Sequence, residues 1–172
     1  IIATGATPLK PKIEGIELNN VITAHDVLAG KKRVGKKVVI VGGGLVGLET
    51  ADYLSHEGKK VTIVEKLKNV GINIKVNKGK LLFQRLSEKG VRILLNTNVE
   101  QITKKSVTVI RTGERETIEI DNVILASGAQ ASRTLVTALK GKVPELYAIG
   151  DCVEPREAFE AIQDGLLVSL KI

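Results

Sequence analysis

The 172-residue sequence has no Trp, no Met, a single Cys and only 2% aromatic residues. Each shortage excludes something. One thiol, Cys152, cannot close an intramolecular disulfide, and it leaves neither a CxxC redox pair nor a zinc-binding set, so a reducing, cytoplasmic setting is expected. So few aromatics make base-stacking platforms for nucleic acid scarce. The excess of 26 Lys and Arg over 19 Asp and Glu, densest at Lys31, Lys32, Arg33, Lys36 and Lys37, therefore reads as a solvated basic surface. No apolar run approaches the roughly 20 residues of a membrane helix. A composition 43% hydrophobic and 26% charged is that of a soluble globular chain. The opening IIATGATPLKP has no basic leader and no initiating Met, and the chain reads as a piece of something longer.

What is present is glycine, in one particular place. In KVVIVGGGLVGLETADYLSHEGKKVTIVEK, Lys37 to Lys66, a continuous apolar strand (Lys37 to Val41) precedes a helical pattern from Leu45 to Gly58, and a second strand follows at Val61 to Val64. Between strand and helix, Gly42, Gly44 and Gly47 stand at GxGxxG spacing. The first glycine makes the tight turn, the second admits a pyrophosphate to the backbone and the third lets the helix pack closely. Gly43, Leu45 and Val46 complete the turn and the first helical residues, whose N–H groups and positive dipole end face the phosphates. Glu65 follows Gly47 by 18 residues, at the end of the second strand, where a carboxylate accepts both ribose hydroxyls. That predicts NADH over NADPH, against the pull that the basic neighbours Lys66 and Lys68 would exert on a 2′-phosphate. Glu49, just inside the helix, has two readings, a carboxylate favoured by the dipole or one that faces the cofactor. Cys152 reads as a small buried residue, and His25 and His56 have no partners at catalytic or metal spacing.

The rest of the pattern gives a short helix with Thr23 as N-cap and Gly30 as its stop, and a longer helix from about Asn77 to Lys89. A third strand follows at Val91 to Leu95, then a hairpin of Ser106 to Arg111 and Glu116 to Ile120, and a buried strand at Asn122 to Ala126. After a loop beyond Gly128 come a strand through ELYAIGDC and a terminal helix from Arg156 to Leu170. The fold class is α/β, a Rossmann-type parallel sheet in strand order 3-2-1-4 with a β-hairpin crossover.

The ordered set IIATGATP, GGGLVGLE, VILASGA and ELYAIGDCVEP resembles the two-dinucleotide-domain flavoprotein reductases, in which an NAD(P)-binding domain is inserted into an FAD-binding domain. The ending GDCVEPREAFEAI is most similar to the NADH:flavin oxidoreductases that carry an old-yellow-enzyme-like barrel, the 2-enoate reductase, 2,4-dienoyl-CoA reductase and trimethylamine dehydrogenase group. The resemblance implies an NAD(P)-binding Rossmann domain at residues 31–129, and partial FAD-binding domain segments at 1–30 and 130–172. It implies that Gly42, Gly44, Gly47, Glu49 and Glu65 form the NAD(P) site, that Gly128 lies near its nicotinamide end, and that Asp151 holds the ribityl chain of FAD. The chain departs from that family in having one glycine fingerprint, no barrel with its FMN and no cysteines for an iron–sulfur cluster.

The expected function is an NAD(P)H-binding module of a flavin-dependent oxidoreductase, positioning nicotinamide for hydride transfer to or from FAD. The cofactor would be NAD(H), with NADP(H) as the alternative and FAD in the intact parent. No catalytic side chain is required, since the chemistry belongs to the cofactors. Two other readings stay open: a binding module without turnover, and a fingerprint that holds FAD itself. The expected partners are the FAD-domain and barrel portions of the parent, with no nucleic acid and no membrane, and the exposed terminal segments are expected to self-associate.

Overall fold

The computed structural model describes residues 1–71 and 76–172. Its elements run β1 (Ala6–Pro8), β2 (Val21–Thr23), α1 (Ala24–Leu28), β3 (Lys37–Val41), α2 (Leu45–His56), β4 (Lys60–Val64), α3 (Val76–Glu88) and β5 (Arg92–Leu94). Then come β6 (Thr97–Ile102), β7 (Ser106–Arg111), β8 (Glu114–Glu119), β9 (Asn122–Leu125), β10 (Ala129–Ala131), α4 (Thr134–Leu139) and, after a 3-10 turn at Gly150–Cys152, α5 (Ala158–Ser169). The chain divides into two compact units, one of residues 10–128 and one of residues 1–9 with 129–172.

In the larger unit the apolar runs become a five-stranded sheet in the order β2-β9-β3-β4-β5, with every pair parallel. The expected order 3-2-1-4 is the part β5-β4-β3-β9. Val38 to Val41, Val61 to Val64 and Val123 to Leu125 are buried throughout, because both faces of the sheet are covered. On one face Val38, Ile40, Val61, Ile63 and Ile124 pack with Leu48, Ala51 and Leu54 of α2 and Leu82 and Leu86 of α3. On the other, Val39, Val41, Val64 and Val123 pack with Ile102, Val107 and Val109 of a three-stranded antiparallel sheet, β6-β7-β8. The crossover is therefore a three-stranded meander rather than a hairpin alone. Its turn, Thr112-Gly113, has positive φ at both residues (50° and 86°), the geometry that joins two strands through two residues. The outer strand β8 carries Glu114, Arg115, Glu116 and Glu119, of which Arg115 pairs with Glu100 and Glu116 with Arg92.

Residues 10–30, expected with the flanking segments, pack with the larger unit, and β2 adds itself beyond β9. The short helix after it is capped as expected: Thr23 Oγ1 accepts from the Asp26 N–H at 3.1 Å and donates to its carboxylate at 2.9 Å.

In the smaller unit β1 and β10 form an antiparallel ribbon. The strand expected through ELYAIGDC shrinks to a single bridge, Ile2 with Ala148. Cys152 is fully buried there, its thiol beside the carbonyls of Ile149 (3.1 Å) and Ile2 (3.3 Å). Along α5, Phe159, Ile162 and Leu166 are 69%, 73% and 60% exposed, and Leu170 at its C-cap is 77% exposed. Among the described residues no helix is long and apolar enough to cross a membrane.

The approach to β3 is fixed by one carboxylate. Asp121, at the exit of the meander, accepts from the backbone N–H groups of Lys36 (2.6 Å) and Lys37 (2.9 Å), and a Cβ at Gly35 would overlap its side chain. Those two backbone bonds hold the Asp121 carboxyl below the usual aspartate range. A carboxyl depressed in the folded state stabilises above its unfolded pKa, and that stabilisation is lost as the pH falls through the folded value. Asp121→Asn keeps an acceptor oxygen without the charge. It is expected to lower the thermal midpoint at neutral pH, with the gap to wild type closing in acid, as circular dichroism melts across a pH series would measure.

Candidate functional site

At the end of β3 the chain turns through Gly42, whose φ is +111° and whose N–H donates to the Val64 carbonyl at 2.9 Å. A Cβ there would overlap the Ala126 carbonyl oxygen, so the turn lies directly against the end of β9. Gly47, buried in the first turns of α2, is closed in the same way: its missing Cβ would overlap the carbonyl oxygen of Gly42. Gly43 is buried as well, facing Val70 and the Glu65 side chain. Gly44 is the opposite case. It is exposed and in ordinary extended backbone (φ −70°, ψ −178°), and among the described residues nothing lies within 4 Å of where its Cβ would be.

Gly44 is also the N-cap of α2 and supplies no side-chain hydrogen bond to the helix. The first N–H groups of a helix have no partner within it and carry the positive end of its dipole. Leu45 and Val46, the first two helical residues, are exposed beside the same open side. Tight packing on two glycines and free space at the third thus leave a bare helix terminus that an anion can approach.

Glu65 stands where the second strand ends. It is 8% exposed, and its oxygens are engaged: Oε2 accepts from the Gly43 N–H at 2.6 Å and Oε1 from the Leu67 N–H at 2.9 Å. Each carboxylate oxygen keeps a further lone pair for another donor. Lys66 and Lys68 are exposed beside it, and Glu49 is exposed on α2 with no hydrogen bond or ion pair among the described residues. Gly128 follows β9 in the left-handed region (φ +99°).

The structure therefore brings Gly42 to Gly47 and Glu65 into direct contact, with Gly128 two residues beyond Ala126. Asp151 belongs to the other unit, where its Oδ1 accepts from the Arg156 N–H at 3.2 Å and Arg156 pairs with Asp164. His25 and His56 are both exposed. Among the described residues no group of His, Cys, Asp and Glu side chains could hold a metal ion.

Sequence reasoning missed the residues that back the turn. Gly71 donates its N–H to the Gly43 carbonyl at 2.9 Å, Val70 fills the space beside Gly43, and Ser127 places next to Ala126 a buried hydroxyl with no hydrogen-bond partner among the described residues. The signal available for the first two was Val70-Gly71, an apolar residue before a glycine in a polar loop.

A family model described as pyridine nucleotide-disulphide oxidoreductase matches residues 1–165. The chain is 33% identical over 200 residues to a metal reductase of Desulforamulus reducens, covering 99% of this chain and 30% of that protein. It is 35% identical over 178 residues to an NADH oxidase of Thermoanaerobacter brockii, covering all of this chain and 27% of that one. A solved 2-naphthoyl-CoA reductase in complex with 2-naphthoyl-CoA matches with a TM-score of 0.93 at 36% identity, over 99% of this chain and 26% of that one. The chain thus spans under a third of the length of these relatives. With a glycine turn closed on two sides and open on the third, and a family match over nearly its whole length, the chain belongs to the pyridine nucleotide-disulphide oxidoreductase family.

Proposed function

We propose that this chain is the NAD(P)H-binding part of a larger flavin-dependent oxidoreductase, and that it takes the nicotinamide dinucleotide at the Gly42–Gly47 turn. The observation that carries this is the contrast among the three glycines: Gly42 and Gly47 are packed against backbone, whereas among the described residues nothing stands in the Cβ direction of Gly44. Residues 10–128 would form the nucleotide domain, and residues 1–9 and 129–172 parts of an FAD-binding domain to which Asp151 belongs. The name of one relative, NADH oxidase, agrees with this reading.

Bound there, the dinucleotide supplies the hydride that is exchanged with a flavin. The side chains and backbone have simpler tasks. The α2 terminus, with Gly44, Leu45 and Val46, holds the pyrophosphate by N–H groups and dipole. Glu65 accepts from the hydroxyls of the adenosine ribose with its remaining lone pairs, and its charge repels a 2′-phosphate. Gly128 leaves room near the nicotinamide end. We also propose that the apolar stripe of α5 pairs with that of a second copy of this chain, because Phe159, Ile162 and Leu166 stand exposed along one helix and neighbouring exposed apolar side chains mark an interaction surface.

Three outcomes are expected. Gly44→Ala should cost less than about 1 kcal/mol in stability, the scale of an N-cap change. It should nevertheless weaken NADH binding at least tenfold in calorimetric titration, since the new methyl occupies the open side; unchanged affinity would remove the turn from the site. Wild type should bind NADH about tenfold or more tightly than NADPH, from one charge-assisted hydrogen bond kept in one case and replaced by repulsion in the other. Light scattering should show self-association that Ile162→Lys with Leu166→Lys abolishes.

A further inference from the structure

Among the described residues Glu65 is the only charged side chain that is buried, and no cation pairs with it. A buried charge persists only where hydrogen bonds replace the water it lost. Here both bonds come from the backbone of loops, one from Gly43 in the turn after β3 and one from Leu67 in the segment after β4. That second segment is itself anchored: the Leu67 carbonyl accepts from the Asn96 N–H at 3.1 Å, and the Glu65 carbonyl from the Thr97 N–H at 2.9 Å. The Gly43 peptide is then held at both ends, its N–H by Glu65 and its carbonyl by Gly71.

We propose that Glu65 is a positioning residue for the phosphate-binding turn: its carboxylate pins the Gly43 peptide, so that Gly44 and the start of α2 are presented in one conformation, apart from any bond it makes to a ribose. The inference rests on the nucleotide reading given above. It also explains why the residue is a carboxylate. Both neighbours are donors, and an ionised carboxylate accepts on both oxygens, whereas the amide of Gln would turn its own N–H₂ toward one of them. Asp would fall one methylene short of reaching both.

The two roles separate with a ligand that has no hydroxyls to read. Wild type and Glu65→Gln, each confirmed folded by circular dichroism, are titrated with NAD⁺ and with its analogue lacking the 2′- and 3′-hydroxyls of the adenosine ribose. Amide exchange at Gly43 is followed by NMR in the nucleotide-free proteins. Should Glu65→Gln fail to fold, Glu65→Asp takes its place. The variant is expected to lose about tenfold or more in affinity for both ligands, the scale of one hydrogen bond to a charged group, and its Gly43 amide is expected to exchange faster than in wild type. Equal affinity of wild type and variant for the dideoxy analogue would overturn the proposal, leaving Glu65 a ribose reader only. So would a Gly43 amide that exchanges in wild type as fast as an unprotected one. If neither nucleotide binds wild type while Gly43 is protected there and released in the variant, the positioning role stands and the nucleotide reading of the site falls.

Discussion

The carbonyl oxygen of Gly42 occupies the space that a side chain at position 47 would need, and the carbonyl of Ala126 occupies the space that one at position 42 would need. This chain of close approaches, helix on turn and turn on strand, sets how near α2 can come to β3 and β9. Move the helix outward by the width of a methyl group, and Leu48, Ala51 and Leu54 leave the sheet face where they are buried. Interiors packed to crystal-like density do not absorb such a shift. The same approach aims the α2 terminus across the ends of the strands, so one contact serves both the core and the site.

The two faces of the sheet share the work unevenly. The helical face buries the longer cluster of side chains and delivers the glycine turn. The opposite face is closed by the meander, whose own contribution to the site is indirect: Asp121 at its exit sets the start of β3, and β3 in turn ends at Gly42. A carboxylate at one end of the strand thus bears on the geometry at the other. Parallel strands require this, since all their C-terminal ends, and hence all their loops of one kind, gather on one side.

Much of this was legible in the residues. The β3–α2–β4 unit could be read because its signals agree: a continuous apolar run, a glycine string and a 3.6-residue period. The strands that escaped are three residues long, β1, β2 and β10, or weakly alternating, as in β6, where Gln101 breaks the alternation begun by Thr97 and Val99 and the pairing carries an irregularity between Val99 and Gln101. The expected strand in ELYAIGDC has the composition of one, but only Ala148 finds a bridge partner. For Glu65 the position was legible and the partners were not. Spacing identifies an acid at a strand end, while a bond to the N–H of Gly43 depends on how two loops meet, which no local pattern encodes.

The strand order carries a consequence for how the chain reaches this state. Strand β9 lies between β2 and β3, although 80 residues lie between Val41 and Asn122 in the chain. During synthesis β3 therefore emerges with one hydrogen-bonding edge that nothing nearby can fill, and an open apolar edge is a template for wrong pairings. Contacts of such sequence separation form late, after the cost of closing a long loop has been met. The meander, whose three strands are joined by short turns, can fold first and carry β9 to its slot. The last strand of this sheet to be made is thus an interior one, seated between β2 and β3.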